Sequence, residues 1–199
     1  MPIEGRSPRD CAEQFRAHMA ELLSRTIAPT VPLLLYEGGR ETRFGMSFRQ
    51  GRKLAAISLA TRYGRLFFHL AQLVEAEKVA KRYELRTLSY WYRLQATAEL
   101  QDEALLRWEY DRAQDPRQPG PPRHHLHAPT AIKWGSHSLD LNQIHTPSGW
   151  VTIEELLRFL IVELGVTPAT PEWPRVVAAS EDVFFRDFSG KRAVKLPRG

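Results

Sequence analysis

The sequence predicts an α+β fold in which an antiparallel sheet is flanked by about three helices. Apolar residues recur at helical spacing near the start of the chain and twice near its end. The intervening segments are short, rich in aromatic and branched residues, and separated by turn residues. Because no helix alternates with these strands, we expect them to pair antiparallel in a single domain over residues 1–187.

Each predicted helix has a recognisable boundary. Ser7 can cap the first helix, and Thr152 with Glu155 has the spacing of a capping box at the start of the second. Gly165 suits the left-handed stop of that second helix. The predicted helices are residues 8–24, residues 152–164 and a segment that begins at residue 171.

Five strands are predicted between the helices, at residues 31–36, 42–49, 53–60, 88–96 and 104–110. Gly38-Gly39, Gln50-Gly51 and Gln101-Asp102 fall where turns are needed. Residues 66–81 fit either a helix or a strand, and we predict a strand up to about residue 74. Residues 114–122 form a Pro-rich loop, and residues 188–199 a basic, flexible tail.

The composition indicates an ordinary globular protein, with 43% hydrophobic and 26% charged residues among 199. No apolar run approaches the roughly 20 residues of a membrane helix, and the first ten residues lack a signal-peptide region. A single cysteine, Cys11, excludes an internal disulfide framework, so we expect a cytoplasmic protein with no membrane partner. The net charge of +5 comes mostly from arginine, which favours an anionic partner such as RNA or reflects codon bias.

Three histidines lie within four positions, in the stretch Arg123-His124-His125-Leu126-His127. In an extended chain His125 and His127 project from one face and His124 from the other. Two imidazoles on one face can share a proton-transfer task or bind one metal ion. An alternative is that these histidines only satisfy backbone groups at a strand end.

Three short motifs surround this stretch: an aromatic strand with Tyr90-Trp91-Tyr92, then Arg107-Trp108-Glu109-Tyr110-Asp111, then the His-His-x-His segment. The region from Tyr90 to His127 thereby resembles the TumE-type toxins of bacterial toxin–antitoxin pairs. It is also similar to uncharacterised actinobacterial proteins, whose Leu-His-x-Pro element is matched here by Ile144-His145-Thr146-Pro147. One difference is that Glu109-Tyr110 stands where the toxin pattern has Asp-Asn.

The resemblance implies a toxin-like protein that acts on RNA, with a cognate antitoxin or another protein subunit as partner. A metal-independent ribonuclease would use one histidine to take the proton of a ribose 2′-hydroxyl and another to protonate the departing oxygen. Arginine would stabilise the charge that develops on the phosphate, and aromatic rings would stack on unpaired bases. The predicted catalytic residues are His125, His127, Arg107, Tyr92 and Glu109, and the predicted nucleic-acid contacts are Arg123, Tyr90 and Trp91. No cofactor is expected on this interpretation.

Two alternatives remain open. A divalent metal could bind His125 and His127, but zinc takes three or four protein ligands, so Glu109, Asp111 or His145 would have to converge on them. The chain could instead be a non-catalytic module that binds protein or nucleic acid. ATP-driven, nicotinamide and serine-hydrolase chemistry are disfavoured, because no phosphate-binding glycine loop and no Gly-x-Ser-x-Gly elbow is present.

Overall fold

The computed structural model describes residues 3–114, 121–134, 137–140 and 145–189 of the chain. In chain order its elements are β1 (Glu4–Gly5), α1 (Pro8–Thr26), β2 (Leu33–Glu37), β3 (Arg43–Gln50), β4 (Lys53–Leu54), β5 (Ile57–Thr61), β6 (Gly64–Val79), β7 (Arg82–Gln95), β8 (Ala104–Asp111), β9 (His124–His127), β10 (Ala131–Trp134), β11 (His137–Asp140), β12 (Thr146–Pro147), α2 (Ile153–Arg158), a π-helical turn (Phe159–Glu163) and α3 (Trp173–Ser189).

A ten-stranded sheet forms the centre of the fold, with the main order β12-β9-β8-β7-β6-β3-β2. Strands β1, β4 and β5 pair with β7, β3 and β6, and β10 pairs separately with β11. Every one of these pairs is antiparallel. The predicted α+β class, with an antiparallel sheet and three helices, is therefore confirmed.

Side chains alternate between the two faces of the sheet, and one face packs against all three helices. On this helix face Phe68 and Leu94 are almost fully buried, in one core cluster with Leu23 of α1 and Leu157 of α2. Val177 of α3 joins the same cluster. Burial of these apolar surfaces against one another is the main force that holds the helices to the sheet.

The opposite face, which we call the histidine face, carries His125 and His127 of β9 together with polar side chains of β6, β7 and β8. Residues directly opposite each other in an antiparallel pair share a face, which allows these side chains to be assigned from the register. One row runs His69, Arg93, Arg107, His127, and the next runs Ala71, Trp91, Glu109, His125.

The predicted helix caps are confirmed. The Ser7 hydroxyl accepts a hydrogen bond from the Asp10 backbone, and Thr152 with Glu155 forms both bonds of a capping box. The first helix ends at residue 26 and not at residue 24. The second is regular only through α2 and then widens into the π-helical turn before Gly165, whose φ is 70°. The third begins at Trp173, because residues 171–172 form a turn.

Several predicted strand boundaries shift. Residues 66–74 are in a strand, as predicted, but β6 continues to Val79 because it pairs with β7 up to a tight turn at residues 80–81. That pairing also makes β7 begin at Arg82 and not at residue 88. The predicted strand 53–60 divides into β4 and β5, since β4 pairs with β3 whereas β5 pairs with β6.

Other predictions concern the ends of the chain and its surface. Cys11 is buried in α1, and burial raises the pKa of its thiol to about 11, in agreement with a core position.

The predicted tail lies mostly outside the described residues, with α3 continuing to Ser189. Within the described part of the chain, no helix is both long and apolar enough to cross a membrane.

Candidate metal centre

Three histidines converge at the edge of the sheet. His125 and His127 project from β9 onto the histidine face, and β12 pairs with β9 so that Leu126 faces Thr146. Extending this register by one residue places His145 opposite His127. The ligating nitrogens of the three rings all lie within 4.8 Å of one another. We call these three residues the histidine cluster.

The cluster has two buried members and one exposed member. His125 and His127 are 5% and 4% exposed, whereas His145 is exposed. The ring centroids are 4.8–5.1 Å apart, and all three pairs of rings meet edge to face. His145 is therefore the member of the cluster that solvent reaches most.

A carboxylate lies beside the histidine cluster. Strand β8 places Glu109 opposite His125 and Arg107 opposite His127. One Glu109 oxygen, Oε2, lies 3.0 Å from His125 Nε2 and 3.7 Å from His127 Nε2. The other, Oε1, forms an ion pair with Arg107 Nε at 3.0 Å. The guanidinium thus holds one oxygen of Glu109 while the second faces the imidazoles.

The hydrogen bonds of His125 determine which of its ring nitrogens carries a hydrogen. Its Nδ1 lies 2.7 Å from the Pro122 carbonyl, which can only accept, so Nδ1 carries a hydrogen and donates it. In a neutral ring Nε2 then has a lone pair, and it lies 3.0 Å from a carboxylate oxygen that is also an acceptor. Two acceptors at this distance repel unless a proton or a cation lies between them. A backbone carbonyl on the second ring nitrogen is also the usual support of a metal-bound histidine.

The donor set fits a divalent transition metal. Imidazole nitrogen suits zinc, copper, nickel and iron, and catalytic zinc sites commonly have three protein ligands and one water. Zn–N bonds of about 2.0–2.1 Å would require the three nitrogens to move together by about 1 Å. His145, at the exposed end of the cluster, has the most room for this movement.

The structure does not bring Tyr90 and Tyr92 to this site. Both lie on the helix face, where their rings stack 4.5 Å apart and are each 3% exposed. The Tyr90 hydroxyl accepts a hydrogen bond from the Val151 backbone, and burial raises the pKa of Tyr90 to about 12. Burial likewise holds the pKa of Tyr92 well above its usual value. The sheet itself separates these two hydroxyls from the histidine cluster.

Trp91 is on the histidine face, whereas Arg123 lies outside the paired residues of β9. Trp91 lies directly opposite Glu109 on β7, and Arg123, just before β9, is exposed and donates from Nε to the Gln114 carbonyl at 2.7 Å. His124 faces away, as predicted. Its ring stacks on Tyr110 at 4.5 Å, and burial lowers its pKa.

Sequence reasoning missed Arg93, which lies opposite Arg107 in the β7–β8 register. Its terminal nitrogens donate to the carbonyls of Leu100 and Asp102, both at 3.0 Å. Burial, and then the charge of Arg107, lower the pKa of Arg93. Its position two residues after Trp91 in an alternating strand was a usable signal, because the two side chains must share a face.

Comparisons of the chain with protein-family models, with curated proteins and with solved structures gave no match. The resemblance to TumE-type toxins therefore stays a prediction. Function has to be argued from the geometry and chemistry of the site itself.

Proposed function

We propose that the chain is a metal-dependent hydrolase, in which the histidine cluster binds one divalent transition-metal ion, zinc in the first instance. The observation that carries this proposal is the convergence of three imidazole nitrogens within 4.8 Å of one another. The carboxylate of Glu109, 3.0 Å from His125 Nε2, supplies the group that such a centre needs beside the ion.

The histidine cluster would hold the ion, and its three neutral imidazoles would leave the charge of the ion available to lower the pKa of a bound water, which is the chemistry that such a centre supplies. Glu109 Oε2 would accept a proton from this water and return it to the departing group of the substrate. The ion pair with Arg107 holds the other oxygen of Glu109, so that Oε2 faces the cluster.

Metal binding tests this proposal directly. Equilibrium dialysis with zinc should show one ion bound per chain. Titration with cobalt(II), followed by its visible spectrum, should reach its end point at the same ratio. His145→Ala should weaken binding by more than about tenfold, because it removes one of three ligands. His124→Gln is the matched control, since His124 lies on the other face of the sheet and should leave affinity unchanged.

Glu109→Gln tests whether the carboxylate of Glu109 acts as a proton acceptor or as a metal ligand. As a proton acceptor Glu109 is dispensable for binding, so this variant should retain the ion. Failure of the unmodified chain to bind zinc or cobalt, or equal affinity in the His145→Ala and His124→Gln proteins, would contradict the proposal.

A second candidate is the metal-independent ribonuclease of a cytoplasmic, toxin-like protein. A proton satisfies the His125–Glu109 contact as well as a cation does, and the ring of His127 lies 5.1 Å from that of His125. One imidazole can then act as acid and the other as base, with Arg107 beside them. A cognate antitoxin or another subunit is the partner proposed with this activity.

Growth and RNA integrity test the second candidate. Expression of the chain should slow bacterial growth and degrade RNA, and combined His125→Ala and His127→Ala should abolish both effects. Cleavage by the purified protein should persist in a chelator. Unimpaired growth with intact RNA, or cleavage that disappears with the chelator, would exclude the metal-independent mechanism.

A further inference from the structure

Arg107 has hydrogen-bond donors that the protein does not use. Its Nε forms the ion pair with Glu109, and its side chain is 30% exposed beside the histidine cluster. Among the described residues, its two terminal nitrogens have no hydrogen-bond partner. A guanidinium held at one nitrogen presents its remaining N–H groups as a planar fork, a geometry that matches an oxyanion.

Positive charge is in excess around this fork. Arg93 lies directly opposite Arg107, and its own terminal nitrogens donate to uncharged backbone carbonyls. Among the described residues, the carboxylate of Glu109 acts on both guanidiniums, and a divalent ion in the cluster would add two more positive charges. Like charges opposite each other on adjacent strands are destabilising, so an anion bound here relieves a repulsion that already exists.

We propose that the substrate of the metal centre is a phosphate monoester, whose terminal oxygens bind the metal ion and the fork of Arg107 together. This inference rests on the proposed metal centre. The fork takes two oxygens and the ion takes a third, and a phosphate monoester has three terminal oxygens. A carboxylate and a phosphodiester each have only two, so neither fills both positions at once.

Cobalt(II) in the full-length chain provides the test, because the visible spectrum of cobalt changes when a ligand joins the ion. Inorganic phosphate and methyl phosphate are titrated at low salt, with acetate and dimethyl phosphate as comparison anions. We expect a saturable spectral change with the first two and at least about tenfold weaker binding of the others. Arg107→Gln should weaken phosphate binding by about tenfold or more, without changing the spectrum in the absence of phosphate.

Two further variants identify the cause of such a loss. Arg65→Gln removes the same charge from an exposed position at the start of β6, and phosphate binding should be unchanged. Glu109→Gln removes the negative charge beside the fork but keeps the fork, so phosphate should bind at least as tightly. General disruption of the site would weaken binding in both the Arg107 and the Glu109 variants.

The outcomes separate this inference from the proposed function. A chain that binds no cobalt overturns both. A cobalt site that ignores phosphate, binds acetate or dimethyl phosphate as tightly, or is insensitive to Arg107→Gln overturns the substrate assignment alone, and leaves the metal centre standing.

Discussion

At the scale of single residues, some buried polar side chains are matched to particular partners. Ser180 illustrates this in the helix layer, where its hydroxyl donates to Glu154 Oε1 at 2.5 Å and accepts from His18 Nε2 at 2.8 Å. Glu154 and Ser180 are 5% and 3% exposed, so each polar atom here depends on its neighbour for the hydrogen bonds that water would otherwise supply.

We predict from two other histidines that the metal-free protein loses stability as the pH falls below about 6.5. Burial lowers the pKa of His18 from the ordinary value of 6.5, and this effect outweighs the opposite effect of the nearby Glu154 and Glu21. Burial also lowers the pKa of His69, and the charge of Arg93 lowers it further. Both rings thus stay neutral in the folded chain at a pH where the unfolded chain binds protons, so the free energy of unfolding decreases with acidification.

Urea unfolding in the presence of a chelator, at intervals between pH 7.5 and 5, measures this effect before most carboxylates titrate. His18→Gln keeps a donor for Ser180 but removes one titrating group, so its stability should depend less steeply on pH. A stability that is flat or rises toward pH 5 in the unmodified chain would show that the buried rings do not govern this range.

At the scale of elements, the end of the second helical segment depends on a turn far away in sequence. After the π-helical turn, Gly165 takes a φ of 70°. Arg62 lies in the turn between β5 and β6. Its guanidinium donates to the Val162 carbonyl at 2.7 Å, and the backbone N–H of Arg62 donates to the Leu164 carbonyl at 2.9 Å. The hairpin thus satisfies carbonyls that the helix leaves unpaired at its end.

Gly165→Ala should therefore lower the free energy of unfolding by about 1–2 kcal/mol, because the left-handed conformation is strained for any residue with a Cβ. The added carbon would also lie 2.8 Å from Arg62 Nε, so that side chain has to move. Gly149→Ala is the matched control, since a Cβ at Gly149 meets nothing within 4 Å. Equal denaturation midpoints for the two variants would refute the argument.

Local patterns in the sequence predicted the elements better than the site, and the β7–β9 strands show why. Alternation alone places His125 and His127 on one face, and the structure confirms it. Which residues of β8 and β7 share that face depends on the register between the strands, which no local pattern shows. Nothing local distinguishes Trp91, on the histidine face, from Tyr92, on the helix face. The convergence of His145 depends in the same way on the pairing of β12 with β9.

At the scale of the whole molecule, the fold separates stability from chemistry. All three helices pack on one face, where the large apolar side chains lie, and the opposite face carries the arginines, Glu109 and the histidine cluster. Substitutions at the cluster therefore change residues that contribute little to the main core, and their effects on stability and on ligand binding can be measured separately.

Metal binding should nevertheless stabilise the entire chain. An ion that binds only the folded state adds about 2.7 kcal/mol to the free energy of unfolding at a hundred times its Kd. Zinc should thus raise the thermal midpoint in a concentration-dependent way, and a chelator should reverse the rise. At the same zinc concentration His145→Ala should show a smaller rise, because its affinity for the ion is lower; a rise as large as that of the unmodified protein would place the ion elsewhere.

Among the described residues, the outermost strand beside the histidine cluster is β12, which consists of Thr146 and Pro147 and pairs with β9 on its inner side. Proline has no amide hydrogen, and two residues offer little backbone for another chain to pair with. The described part of this margin therefore gives a neighbouring protein little backbone for strand addition. Sheet extension at Thr146 and Pro147 is disfavoured, which leaves the exposed ring of His145 accessible to solutes.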